Sequence, residues 1–317
     1  MHSPFARKLH DTQDDELVRV SLAGLIRLNR AAGGLALSPA VIRAARGGNY
    51  LSSFKGRGME FDETRPYTPG DDIRNLDWRV TARTGKTHTK LFREERERPV
   101  FLVVDARAPM FFATRGVFKS VMAARLAAIV AWSAQHHGDR VGGQIFSESH
   151  SVELKPEHGR RAVLHLLQNL VQVEPPAAPS EQETGAAFEA AAARLVRHAR
   201  PGSLVFIFSD FRKLTAAGES SLIRLCRHCD VALVFIHDPL ERQLPTSGRY
   251  RFGDGLRELS LDASPAAAAA HEQCFIQRQQ GLENLARQHA MRFISCSNTD
   301  DPILVLQQNL RAARHTA

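Results

Sequence analysis

The feature that most constrains this chain is an alternation that begins near residue 99 of its 317. Short apolar runs without polar interruption, "RPVFLVVD" and "GSLVFIFSD" among them, are separated by longer stretches with helical spacing. Such a run is a strand covered on both faces. Strands of that kind alternating with helices imply a mostly parallel sheet with helices on both sides, an α/β fold of the doubly wound type. The pattern predicts a long helix in "VFKSVMAARLAAIVAWSAQHH", ended by Gly138, and strands in "RVGGQIFS" and "SHSVELK", near enough to pair antiparallel. Helices follow in "HGRRAVLHLLQNLVQV" and "TGAAFEAAAARLVRHA", joined by the proline-rich loop "EPPAAPSEQE". After "GSLVFIFSD" come a helix in "ESSLIRLCRHC", a strand in "DVALVFIHD" and a variable region. A long helix from "AAAAAHEQ", a strand in "MRFISC" and a last helix from residue 300 complete the chain.

Two other parts precede this domain, so the boundaries fall at 1–48, 49–98 and 99–317. Residues 1–48 read as helical. Asp14, Asp15 and Glu16 place negative charge at a helix start, where the dipole favours it. Leu17, Leu22, Leu25, Ile26 and Leu28 form the apolar stripe, and "AAGG" ends it. Ser38-Pro39 starts a second helix that Gly47-Gly48 stops. Residues 49–98 carry Gly56, Gly58, Pro66, Pro69 and Gly70, which exclude long helices. Within them "NLDWRVTAR" and "KTHTKLFRE" flank Thr84-Gly85 and are rich in Thr, Val, Leu, Trp and Phe, so they read as a β-hairpin.

The topology locates a site. In open doubly wound sheets ligands bind beyond the carboxyl ends of the strands, at the point where strand order reverses. The usual order puts "FLVV" beside "LVFIF", and each run ends in an aspartate, Asp105 and Asp210. Either alone reads as a cap. Two in equivalent places read as one shared site, where they repel unless a cation stands between them.

Bulk properties narrow the class. A net charge of +8 permits an acidic partner without identifying one. No apolar run approaches the ~20 residues of a membrane-spanning helix, and the N-terminus lacks a signal-peptide core, so a soluble cytoplasmic protein is expected. Four scattered cysteines make no disulfide framework. Cys226 and Cys229 in "CRHC" lack a second pair for zinc and sit near a helix end, so they read as core residues. None of the 14 histidines falls in a helical metal-binding pattern.

The strand ending in Asp105, the helix start at Thr184 and the "FSDF" at Ser209-Asp210 together resemble a von Willebrand factor A domain with its metal-ion-dependent adhesion site. The stretch "GRGMEFDETRPYTPGDDIRNLDWRVTARTGKTHTKLFREERE" is similar to the signature of the bacterial family catalogued as domain of unknown function 58. The ordered residues are Glu60-Phe61, Arg65-Pro66-Tyr67, Pro69-Gly70-Asp71-Asp72, Arg74, Asp77-Trp78 and Ala82-Arg83. The resemblance covers residues 45–240 and matches the short form without membrane helices. It implies a von Willebrand factor A-like, Rossmann-like sheet preceded by a β-rich subdomain and a helical segment. It also implies a non-enzymatic role beside a MoxR-type AAA+ ATPase, binding partner proteins while that ATPase assembles or remodels a client complex. The chain has no Walker A sequence, so nucleotide chemistry lies with that partner.

One departure bears on the metal. The adhesion-site pattern Asp-x-Ser-x-Ser here reads Asp105, Arg107 and Pro109, without either serine hydroxyl. Thr184, Ser209 and Asp210 still offer oxygens, yet magnesium demands a near-ideal octahedral set. A degenerate site is expected, with no cofactor or only weakly bound Mg²⁺. Arg107 then either replaces the ion or points to solvent.

The signature stretch admits three readings. Its carboxylates, Glu60, Asp62, Glu63, Asp71, Asp72 and Asp77, would suit a metal-dependent hydrolase, as would the switch-point aspartates. Arg57, Arg65, Arg74, Arg79 and Arg83 instead favour ion pairing that holds a loop-rich subdomain and presents it to a partner, with Asp77 and Trp78 anchoring the hairpin. The basic run Arg79, Arg83, Lys86, Lys90 and Arg93 would suit nucleic acid, though a solvated basic strand face is ordinary.

Overall fold

The computed structural model describes residues 16–37, 59–69, 71–94, 98–175, 180–253 and 258–311. They fall into two compact units, one drawn from Met1–Val41 with Arg98–Ala317, the other from Ile42–Glu97.

The larger unit is built on a six-stranded sheet. Numbering all strands in chain order, β1 is Met59–Pro66 and β2 His88–Glu94, both in the smaller unit. The sheet comprises β3 (Pro99–Asp105), β4 (Arg140–Phe146), β5 (Ser151–Glu157), β6 (Leu204–Ser209), β7 (Asp230–His237) and β10 (Arg292–Ser297). Its order is β10-β7-β6-β3-β4-β5, parallel throughout except for the antiparallel edge strand β5. The chain therefore moves from β3 to one side of the sheet, then returns to β3's other side as β6.

Alternate residues of β3 explain why it lacks polar interruptions. Val100, Leu102 and Val104 pack with the helices Lys119–His136, Gly159–Val171 and Pro302–Arg311. Phe101 and Val103 pack with Glu181–His198, Ala216–Leu225 and Pro265–Gln288 on the other face. A strand buried on both sides leaves no position for a polar side chain until its carboxyl end, where Asp105, itself buried, meets polar partners from the neighbouring loops. In β4, a Cβ on Gly143 would lie 2.2 Å from the Leu102 carbonyl, so only glycine permits that approach.

The N-terminal helices are short. Leu22–Arg27 is capped by Ser21, which accepts from the Gly24 amide, and Asn29–Ala32 ends at Gly33. Leu25, Ala32 and Leu35 are buried in the sheet's core, and Trp132 Nε1 donates to the Leu25 carbonyl at 3.1 Å. The expected helix starts at Asp14-Asp15 and Ser38-Pro39 lie outside the described residues. The region read as variable contains the helix Pro239–Arg242 and a hairpin of β8 (Gly248–Gly253) with β9 (Glu258–Ala263).

The smaller unit corrects the hairpin expected around Thr84-Gly85. Residues Trp78–Thr84 form a helix, and β2 pairs antiparallel with β1 instead. Asp77 caps that helix, accepting from the Arg79 and Val80 amides, and Gly85 closes it in the left-handed conformation at φ 67°. Those two end signals override the strand preference of Trp, Val and Thr.

Candidate functional site

β3 and β6 are adjacent and parallel, so their carboxyl ends bring Asp105 and Ser209-Asp210 together. Asp105, Arg107, Ser209 and Asp210 have no exposed surface. Arg107 is turned inward. Its Nε donates to both Asp105 oxygens at 2.9 and 3.0 Å, and its Nη2 to Oδ2 at 2.6 Å. The same Nη2 lies 3.8 Å from Asp210 Oδ1, and Nη1 donates to the carbonyls of Thr184 and Arg212 at 2.8 and 3.0 Å. The guanidinium faces the rings of Phe188 and Phe146, 5.2 and 5.8 Å from their centroids. Burial alone would make this group easier to deprotonate. Asp105 first, then Asp210 and Glu148, outweigh that and raise its pKa.

Thr184 enters from the first turn of Glu181–His198, a helix begun by a Ser180–Glu183 capping box. Its hydroxyl faces the Glu148 carboxylate at 3.0 Å and the Ser180 carbonyl at 3.1 Å. Its own carbonyl is the group that meets Arg107. Ser209 donates to Asp105 Oδ2 and accepts from the Phe211 amide. The loop that follows is strained. Phe211 and Lys213 hold left-handed backbone at φ 49° and 56°, which a bulky side chain rarely adopts. This path aims the Arg212 amide at Asp210 Oδ1 and its carbonyl at Arg107.

A second buried cation escaped the sequence reading. Lys119, with no exposed surface, donates from Nζ to Asp210 Oδ2 at 2.9 Å and Glu241 Oε1 at 2.6 Å. It sits at the first position of its helix, where the dipole disfavours a positive charge. A lysine in a first turn usually reads as solvated, so only its two carboxylates reveal it. Arg212 also bonds Glu241, at 3.0 Å. For Asp210, burial pushes the pKa up, but Lys119 and then Arg107 pull harder and hold it at about 2. Alongside, Asp238 accepts from Thr114, Leu240 and Asn298, and Asn298 bridges it to the Arg115 and Val117 carbonyls.

In the smaller unit the signature residues divide. Arg65 Nη2 donates to Asp71 Oδ1 at 2.7 Å, and Asp71 also accepts from the amide and hydroxyl of Thr68, which lowers its pKa. Tyr67 is half-buried, and its amide donates to the Thr87 carbonyl. Asp77 is buried, as the helix cap. Trp78, expected to anchor a hairpin, is 69% exposed. Arg74, expected to pair with a carboxylate, makes no ion pair among the described residues; Asp72 accepts from its backbone amide instead. Arg83 is exposed, and the Glu60 side chain lies outside the described residues.

The "CRHC" cysteines are not activated. Burial pushes Cys226 up and Cys229 to about 11.

The family described as "Protein of unknown function DUF58" matches residues 63–273. Uncharacterized proteins of Mycobacterium tuberculosis and Mycobacterium bovis are 31% identical over 238 residues, covering 71% of this chain and 72% of theirs. Solved structures similar to the chain include the conserved hypothetical protein BatB from Bacteroides thetaiotaomicron, with 13% identity, a TM-score of 0.46, and coverage of 68% of this chain and 98% of that one. Another is an aerotolerance-related membrane protein from Bacteroides fragilis, with 14% identity, a TM-score of 0.45, and coverage of 68% and 99%. Structural similarity of this degree carries nothing about function.

Proposed function

This chain belongs to the DUF58 family, and from that premise we propose that it is a non-enzymatic protein-binding module that works beside a MoxR-type AAA+ ATPase on a client protein complex. The observation that carries the reading is the guanidinium of Arg107 between Asp105 and Asp210. General acid–base catalysis needs a group free to exchange a proton near neutral pH. Here Asp105 and Asp210 meet buried cations, Glu241 meets Lys119 and Arg212, and Asp210 is held at about 2.

The finer fold is read as von Willebrand factor A-like. Support comes from the sheet order, the antiparallel edge strand and aspartates after β3 and β6. The adhesion-site metal of such domains does not fit this donor set. Asp105 and Asp210 face Arg107, Pro109 has no side-chain oxygen, and the Thr184 hydroxyl faces Glu148 and Ser180. Arg107 is thus read as a tethered substitute for the ion. The protein is taken to act in the cytoplasm; among the described residues no helix is long and apolar enough to cross a membrane.

The test is calorimetric titration of the purified chain with the MoxR-type ATPase of the same cell, with and without ATP. A complex of defined stoichiometry is expected. No association under either condition, or Mg²⁺-dependent phosphoester hydrolysis by the chain that Asp105→Ala abolishes, would overturn the reading.

A further inference from the structure

The signature of the smaller unit contains more than its fold uses. Arg65 and Asp71 are engaged with each other and Asp77 with the helix amides, as the pair and the cap already described. In the helix Trp78–Thr84, Thr81 accepts from the His88 amide, and Thr84 contacts the Val80 carbonyl and the His88 ring. Val80 and Thr81 are half-buried, so this side faces β2. Residues four apart share a helix face. Trp78 therefore stands with Ala82, and Arg79 beside them with Arg83, all exposed and turned away from β2. Five residues earlier Ile73 is 67% exposed, nearly as much as Trp78 at 69%.

We infer that Trp78, Arg79, Ala82 and Arg83, joined by the exposed Ile73 five residues earlier in the chain, form a docking face for a partner protein that offers an apolar pocket rimmed by Asp and Glu. Three properties select that occupant. A large aromatic next to a small alanine is a shape that inserts, and tryptophan with arginine is the composition that dominates binding energy at protein interfaces. From Ile73 to Lys90 the chain carries Arg74, Arg79, Arg83, Lys86 and Lys90 against one acid, Asp77. That acid is buried on the helix amides, so the charge shown outward is positive. An exposed Ile73 suits a pocket of side chains and adds nothing to phosphate binding.

This inference rests on the reading of the protein as a binding module, but not on the identity of its partner. Full-length chain carrying the photo-crosslinker p-benzoylphenylalanine in place of Ala82 would be irradiated in its own cells. A replacement at Glu219, on an exposed helix position of the larger unit, serves as control. The expected result is one protein adduct specific to position 82. Its purified form should bind the unmodified chain and lose tenfold or more in affinity with Trp78→Ala and with Arg79→Glu/Arg83→Glu, with binding weakened by salt. Unchanged affinity in those variants, a nuclease-sensitive adduct, or the absence of any adduct would overturn the inference. An adduct with the client rather than the ATPase would leave the face standing, and a failed titration with the ATPase would remove that partnership alone. ATPase binding that ignores all three substitutions would keep the partnership and exclude the ATPase as the occupant of the face.

Discussion

Arg107 and Asp105 are two positions apart in the chain and meet in a buried two-pronged contact, with Nη2 and Oδ2 2.6 Å apart. Removing one member of such a pair strands the other's charge, at a cost of ~3–5 kcal/mol. Arg107→Ala is therefore expected to destabilise the larger unit by that order in chemical denaturation. Arg107→Lys should recover only part, since an ammonium restores charge without the fork that also reaches the Thr184 and Arg212 carbonyls. An unchanged denaturation midpoint for Arg107→Ala would contradict the account.

Lys119 gives a sharper test because it bridges two carboxylates. Lys119→Met should cost several kcal/mol by leaving Asp210 short of a cation. Adding Asp210→Asn should recover part of that loss, and the coupling in a double-mutant cycle measures the interaction. Strict additivity would show that the two side chains do not interact.

Acid should act on this network within a narrow range. The folded-state pKa of Asp210, at about 2, lies below its ordinary 3.8. The charge therefore contributes stability above the ordinary value, and that contribution is lost as pH falls toward the folded one. The shift corresponds to ~2 kcal/mol. Asp210→Asn should flatten the stability profile across that interval and leave its slope at higher pH unchanged. A profile identical to that of the unmodified chain would exclude the assignment.

Metal binding separates the tethered cation from a true ion site. Calorimetric titration of the unmodified chain with Mg²⁺ or Mn²⁺ is expected to give no binding heat. Arg107→Ser with Pro109→Ser restores two hydroxyls, and the melting temperature of that variant should rise with added Mg²⁺, as it does for any ligand that binds only the native state. A micromolar isotherm for the unmodified chain, abolished by Asp210→Ala, would refute the substitution of the ion by Arg107.

In the smaller unit, neighbouring signature residues should behave oppositely. Asp77→Ala removes the helix cap and should lower stability by ~0.5–2 kcal/mol. Trp78→Ala, at an exposed position, should change it by less than ~0.5 kcal/mol. Circular dichroism melts compare them directly. A Trp78→Ala melt as depressed as that of Asp77→Ala would mean the ring supports the fold rather than a partner.

The six strands of the main sheet and the helices between them were legible because burial on both faces leaves an apolar run, as in Val100–Val104, whereas the helix Pro239–Arg242 and the hairpin of β8 with β9 were not. The meeting of Asp105 and Asp210 was legible for the same reason, since a strand covered by apolar side chains on both faces can place a carboxylate only at its end, beyond those faces. The helix Trp78–Thr84 was not, because Trp, Val and Thr favour strands locally while one carboxylate at Asp77 and one glycine at Gly85 settle the helix ends. Trp78 read as an anchor because aromatics usually stabilise, and its side chain is exposed instead.

By itself the sequence determined the sheet, its covering helices and the two aspartates, all of which follow from apolar periodicity along the chain. Only the tertiary structure decided what neutralises those aspartates. Lys119 and Glu241 are 122 residues apart, and Lys119 and Asp210 are separated by 91. No local pattern marks a lysine in a first helical turn as buried. Its charge is tolerated without water only because folding brings two carboxylates within hydrogen-bonding distance, and that compensation exists nowhere in the linear chain.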